Sequence, residues 1–161
     1  MKIAIHNSET GFHPRWISYC KSKSIDYKLV NCYDSNIIKQ LNDCNALMWH
    51  HSHTKPEDIL FAKQLLFSIQ YSGIIAFPDF STNWHFDDKI GQKYLFEVLE
   101  VPFIPTYIFY NKENAIKWTM KTSFPKIFKL RAGSASCNVK LVKNRNQALK
   151  LIKQSFGKGF T

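Results

Sequence analysis

The chain has 161 residues, 45% of them apolar and 15% aromatic, and a formal net charge of +10. That length suits one ordinary domain or two small ones with a packed core, and the composition excludes a disordered chain. No apolar run approaches the ~20 residues of a bilayer-crossing helix. The opening Met1-Lys2-Ile3-Ala4-Ile5-His6 has no signal-peptide core, so the expected location is cytoplasmic.

In chain order, Ile3-Ala4-Ile5 predicts a first strand and Pro14 the first turn of a helix to about Lys23. Tyr27–Val30 predicts a second strand, Ser35 the cap of a short helix with Ile37, Ile38 and Leu41, and Ala46–Trp49 a third strand. Thr54 is the expected cap, and Pro56 the opening, of a helix with Ile59, Ala62, Leu65, Leu66 and Ile69 on one face. Gly73 ends it, and Ile74–Phe77 predicts a fourth strand before Pro78. Short strands alternating with helices specify an α/β fold with a small parallel sheet.

The second half has another rhythm. Asp87 and Asp88 begin a helix with Ile90, Tyr94, Leu95 and Val98 expected inward. A strand is predicted over Tyr107–Tyr110, a helix around Ala115 and Trp118, and a strand pair over Lys126–Leu130 and Asn138–Val142. Asn144 starts a last helix with Ala148, Leu149, Ile152 and Phe156. This gives a Rossmann-like domain over 1–85 and an α+β unit over 86–161.

Charge separates the halves as well. Residues 1–112 hold 11 basic and 11 acidic side chains, whereas residues 113–161 hold 11 basic and one acidic, Glu113. A basic segment of this kind attracts polyanions. Cys20, Cys32, Cys44 and Cys137 lack metal-ligand spacing and are read as free thiols. Lys129 lies within Ile127-Phe128-Lys129-Leu130, where burial of a bare ammonium would be costly without an anion. The following Arg131-Ala132-Gly133-Ser134-Ala135-Ser136 is a small-residue loop whose backbone N–H groups can close on phosphate oxygens. Alternation puts Ile127, Lys129 and Arg131 on one face.

An ordered set of segments resembles the ATP-grasp superfamily of carboxylate–amine (or thiol) ligases. The set comprises the proline-ended strand Phe77-Pro78-Asp79, and Asp88-Lys89 opening a helix that carries Lys93. Val101-Pro102-Phe103-Ile104-Pro105-Thr106 follows, and then Phe124–Lys129 with Gly133–Ser136. The resemblance covers nearly the whole chain, as a pre-ATP-grasp domain plus the small ATP-grasp lobe, and looks nearer to ribosomal-protein glutamate ligases than to biotin carboxylases. It implies that ATP phosphorylates a carboxylate and that an amine or thiol displaces the acyl phosphate. By position it implies Lys129 and Lys89 as contacts to ATP, Gly133, Ser134, Ala135 and Ser136 as the lid over the phosphates, and Arg131 beside them. The loop has one glycine where family loops often have two or three. The family's Mg²⁺ ligands come from a C-terminal lobe, and no Asp or Glu follows Glu113. Magnesium is therefore expected only where such a lobe is supplied, and these residues alone are not expected to ligate.

His50-His51-Ser52-His53 follows the third strand, where open α/β sheets gather ligands. His50 and His53, with His85, are candidate substrate contacts; the alternative is exposed loop histidines. Trp49, Trp84 and Trp118 are read as packing residues. The charge leaves a nucleic-acid-binding module as a rival function, although no recognised nucleic-acid motif is present. A non-catalytic interaction protein, its lobe pair docking a partner that supplies the other half, is the third reading; the exposed interlobe face is also a candidate for self-association.

Overall fold

Residue-by-residue alternation in the first strand sorts its side chains onto two faces, and a different helix layer covers each. The computed structural model describes residues 1–8, 10–132 and 139–156. They form two units, Met1–Phe86 and Asp87 onward.

In the first unit, strands β1 (Lys2–His6), β2 (Asp26–Val30), β3 (Ala46–Met48) and β4 (Ile75–Phe77) make one parallel sheet of order β2-β1-β3-β4. Helices α1 (His13–Ser22), α2 (Ile37–Leu41) and α3 (Pro56–Gln70) are the crossovers. Ile3 and Ile5 pack with Cys20 of α1 on one face. Ala4, Leu47 and Ala76 face the other way, against Leu41 of α2 and Ala62, Leu66 and Ile69 of α3. Burial on both faces is what a parallel sheet requires. Cys20, Cys32 and Cys44 are free, as read from the sequence, and the fold buries all three; Cys137 lies outside the described residues.

Two details of this unit differ from expectation. Helix α3 has Lys55, not Thr54, at its N-cap, without a side-chain cap bond; the Thr54 hydroxyl is hydrogen-bonded to Ser52 Oγ at 2.8 Å instead. A short helix, α4 (Phe80–Asn83), follows β4 and is not foreseen from its apolar pattern; Asp79 caps it by accepting from Thr82 N–H.

The second unit contains α5 (Lys89–Val98), α6 (Lys112–Lys121), the antiparallel pair β5 (Lys126–Lys129) and β6 (Val139–Val142), and α7 (Arg145–Ser155). Helices α6 and α7 pack together and α7 lies on β6, burying Ala115, Val142, Ala148 and Ile152. The predicted strand over 107–110 does not form. Tyr107 and Phe109 stack on Trp118 of α6 at 4.8 and 5.3 Å, so the aromatic content that favours a strand goes into ring packing. In α5 the inward face is also corrected: Tyr94 and Val98 are exposed, whereas Gly91 is buried.

Candidate functional site

Within the second unit, the predicted phosphate-binding residues gather around the start of α5 and the end of β5. Asp87 adopts a left-handed backbone (φ 53°), a conformation Asp tolerates better than most residues, and its carboxylate holds Lys89 Nζ at 2.6 Å. Asp88 caps α5, accepting from Ile90 and Gly91 N–H at 3.0 and 3.1 Å. Its other oxygen accepts from Arg131 Nε and Nη2 at 3.1 and 2.6 Å. Lys89 N–H also donates to the Arg131 carbonyl at 3.1 Å, joining strand end to helix start. The hydrogen-bonded Asp88 carboxylate raises the Arg131 pKa, so this arginine is a fixed cation.

Lys129 is not in the buried setting expected from its neighbours. It is exposed, on the open face of the hairpin beside Ile127 and Leu141, which pair across the strands at 57% and 55% exposure. The alternation is as expected, but the packed face carries Phe128 and Val142, because α7 covers that side only. Lys93 is ion-paired with Glu97 one turn along α5 and lies 5.2 Å from the Tyr94 ring. Gly133, Ser134, Ala135 and Ser136 lie outside the described residues.

A second polar cluster stands at the carboxyl end of the first unit's sheet. His50 is exposed and stacks on Phe12 at 4.4 Å, His53 is half-buried 5.7 Å from Phe86, and His85 is half-buried against Trp84 at 5.5 Å. Gly11 (φ 122°) lets the chain approach His50, since a Cβ there would meet its Nδ1 at 2.6 Å. The middle histidine is not an exposed loop residue: His51 is buried, and its Nε2 accepts from Asn83 Nδ2 at 2.6 Å. Burial pushes its pKa down.

Sequence reasoning missed His6, Tyr33 and Asp58. His6 is 3% exposed, and its Nδ1 accepts from Cys32 N–H at 3.0 Å. Tyr33 OH and Ser52 N–H both donate to the buried Asp58 carboxylate. The one available signal was a polar residue, His6, ending an apolar strand. Asp58 reads in sequence as an ordinary acid in a helix's first turn. Among the described residues no group of three or more His, Cys, Asp or Glu is placed to hold a metal ion. No described helix is long and apolar enough to cross a membrane.

Neither a protein-family model nor a curated protein matches the chain. Solved structures do. A RimK domain ATP-grasp protein from Sphaerobacter thermophilus superposes with a TM-score of 0.73 at 13% identity, over 99% of this chain and 60% of that one. The biotin carboxylase domain of Hydrogenobacter thermophilus 2-oxoglutarate carboxylase, solved with MgADP, ADP and bicarbonate, gives 0.68 at 15%, over 99% of this chain and 42% of that one. N5-carboxyaminoimidazole ribonucleotide synthetase from Thermotoga maritima gives 0.56 at 16% identity, over 92% and 42%. The chain thus spans 60% or less of the length of these relatives in structure. At these identities the likeness is one of fold, and the fold is that of the ATP-grasp proteins.

Proposed function

We propose that this chain is the nucleotide-binding part of an ATP-grasp carboxylate–amine (or thiol) ligase, comprising a leader domain and the small lobe. The observation that carries the reading is the open face of the β5–β6 hairpin. Ile127 and Leu141 offer a flat apolar platform of the kind a purine ring covers, and Lys129 stands about 7 Å further along the same face. A nucleotide lying along β5 would put its base on the platform and its phosphates toward Lys129. Lys89 and Arg131, each fixed by a carboxylate (Asp87 and Asp88), hold the strand end and keep their donors oriented where phosphates would lie. Phosphoryl transfer asks for such preorganised charge rather than covalent participation by the protein.

In the reaction so read, a substrate carboxylate takes the γ-phosphoryl group and ADP departs. An amine or thiol then attacks the acyl carbon, and inorganic phosphate leaves. A RimK domain ATP-grasp protein and a biotin carboxylase domain share this fold alike. The relatives' MgADP complex supports ATP as the nucleotide. Magnesium itself does not fit the described residues, because Asp87 and Asp88 are already engaged by Lys89 and Arg131. The 161 residues alone are expected to bind nucleotide weakly and to release no ADP.

The test is ATP affinity of the purified chain by calorimetry, before and after Lys129→Ala. Removing one phosphate-paired ammonium should weaken binding about tenfold. An unchanged affinity would remove Lys129 from the site, and absence of any saturable ATP binding would remove the reading. A polyanion-binding alternative predicts that affinity follows salt rather than this single lysine.

A further inference from the structure

Helices α6 and α7 pack together, and the residues they bury fix which sides turn outward: Ala115 and Thr119 on α6, Ala148 and Ile152 on α7. At about 3.6 residues per turn, Lys117 and Lys121 fall opposite the buried row of α6, and Lys150 and Lys153 opposite that of α7. All four are exposed. Arg145 Nη2 donates to the Met120 carbonyl at 3.0 Å, which sets the start of α7 beside the end of α6. Lys121 and Arg145 therefore meet at that end, with Lys143 two residues before the arginine.

Little negative charge offsets this surface. Lys117, Lys121, Lys143, Arg145, Lys150 and Lys153 make no ion pair among the described residues. Asp87, Asp88 and Glu97 of the same unit are held by Lys89, Arg131 and Lys93. Glu113 is the one carboxylate on α6 and α7, and it lies in the first turn of α6, at the far end from Arg145. Like charges gathered in this way repel, and a polyanion relieves the repulsion. An aromatic ring with a free side borders the cations. Tyr107 stacks on Trp118 at 4.8 Å yet is 57% exposed, and Lys121 is one turn on from Trp118. Lysines for phosphates beside a ring for a base is how single-stranded nucleic acids are held, whereas an acidic peptide would leave the ring unused. Asn146, Lys150 and Gln154 follow four apart along α7, all exposed, so carboxamides flank a lysine. Their oxygens can accept a ribose 2′-OH.

We infer that the outward face of α6 and α7 is a docking surface for single-stranded RNA, with phosphates on Lys117, Lys121, Arg145, Lys150 and Lys153 and a base on the free side of Tyr107. Helix α7 covers the hairpin face opposite to Lys129, so the surface is separate from the proposed nucleotide platform and stands or falls without it.

Fluorescence anisotropy of a labelled oligouridylate, titrated with the full chain at several salt concentrations, tests it. With four or five phosphates paired, the logarithm of the affinity should fall against the logarithm of salt with a slope of about −3. Lys121→Gln with Lys150→Gln should weaken binding roughly tenfold and make the slope shallower by about 1.4. Tyr107→Ala should weaken binding about tenfold and leave the slope alone, since a stacked base carries no counterion term. Lys21→Gln with Lys39→Gln removes the same charge from exposed positions of the first unit and should change little. An equal loss from the two lysine pairs would mean that binding follows net charge, and the site would fall. So would displacement of the RNA by ATP or by polyglutamate at equal charge, or equally tight binding of oligothymidylate.

Discussion

Replacing Asp88 separates two jobs that one carboxylate performs. One oxygen accepts the Ile90 and Gly91 N–H groups at the start of α5, and the other accepts two bonds from Arg131. Loss of an N-cap costs about 1 kcal/mol. The ion pair adds no more than about 1 kcal/mol, because the Arg131 side chain is 62% exposed and water screens it. Asp88→Ala should therefore destabilise the opening of α5 by roughly 2 kcal/mol, and Asp88→Asn, which keeps the cap acceptor, by roughly half that. Arg131→Met should match the asparagine variant. Hydrogen exchange followed by mass spectrometry on peptides spanning 87–98 reads the local opening directly, and roughly 2 kcal/mol corresponds to about thirtyfold faster exchange. If Asp88→Ala and Arg131→Met exchange alike, the cap contributes nothing and the reasoning fails.

Tyr33→Phe removes a hydroxyl donor from the buried Asp58, and leaving that carboxylate short of a partner should cost about 1–3 kcal/mol in urea unfolding. Burial, followed by the bond to Asp58, holds the Tyr33 phenol well above its ordinary range. In an alkaline ultraviolet titration one of the seven tyrosines should consequently ionise only with unfolding; seven ordinary titrations would contradict the bond. Desolvation lowers the pKa of both His6 and His51, against a partial opposing pull from Asp58, with His13 and Lys55 adding to the shift at His6 and His50 and Lys63 at His51. The unfolded chain then binds more protons than the folded one between the lowered values and the ordinary value of about 6.5. Stability from this source is complete above about pH 6.5 and falls as pH drops below it. Urea midpoints that stay level from pH 7.5 to 5.5, or a His51→Gln variant with undiminished pH dependence, would count against it.

The parallel sheet was legible in the sequence because each strand is a short apolar run bounded by turn residues, and each crossover helix repeats its apolar positions at helical spacing. Asp88 and Asn144 announced their helices for a local reason: a side-chain oxygen reaches the N–H groups two or three residues ahead. Pairing of β5 with β6 was equally local. The order of segments such as Val101–Thr106 and Phe124–Lys129 carried the resemblance to ATP-grasp proteins, which the fold bears out.

What a residue faces is another matter. Periodicity put Ile127 and Lys129 on one side of β5, but only the seating of α7 decided that this side is open, leaving an apolar pair exposed beside a lysine. The aromatic run 107–110 satisfies strand propensity, yet Trp118, 11 residues from Tyr107, offered its rings a better partner. His6, Tyr33 and Asp58 come from three segments that are neighbours only once β1, β2 and α3 are assembled, so no spacing along the chain announces them. Local chemistry along the chain determined the parallel strands, the crossover helices and the caps at Asp88 and Asn144. The burial and pairing of polar side chains depended on segments far apart in sequence, and tertiary packing alone brought those together.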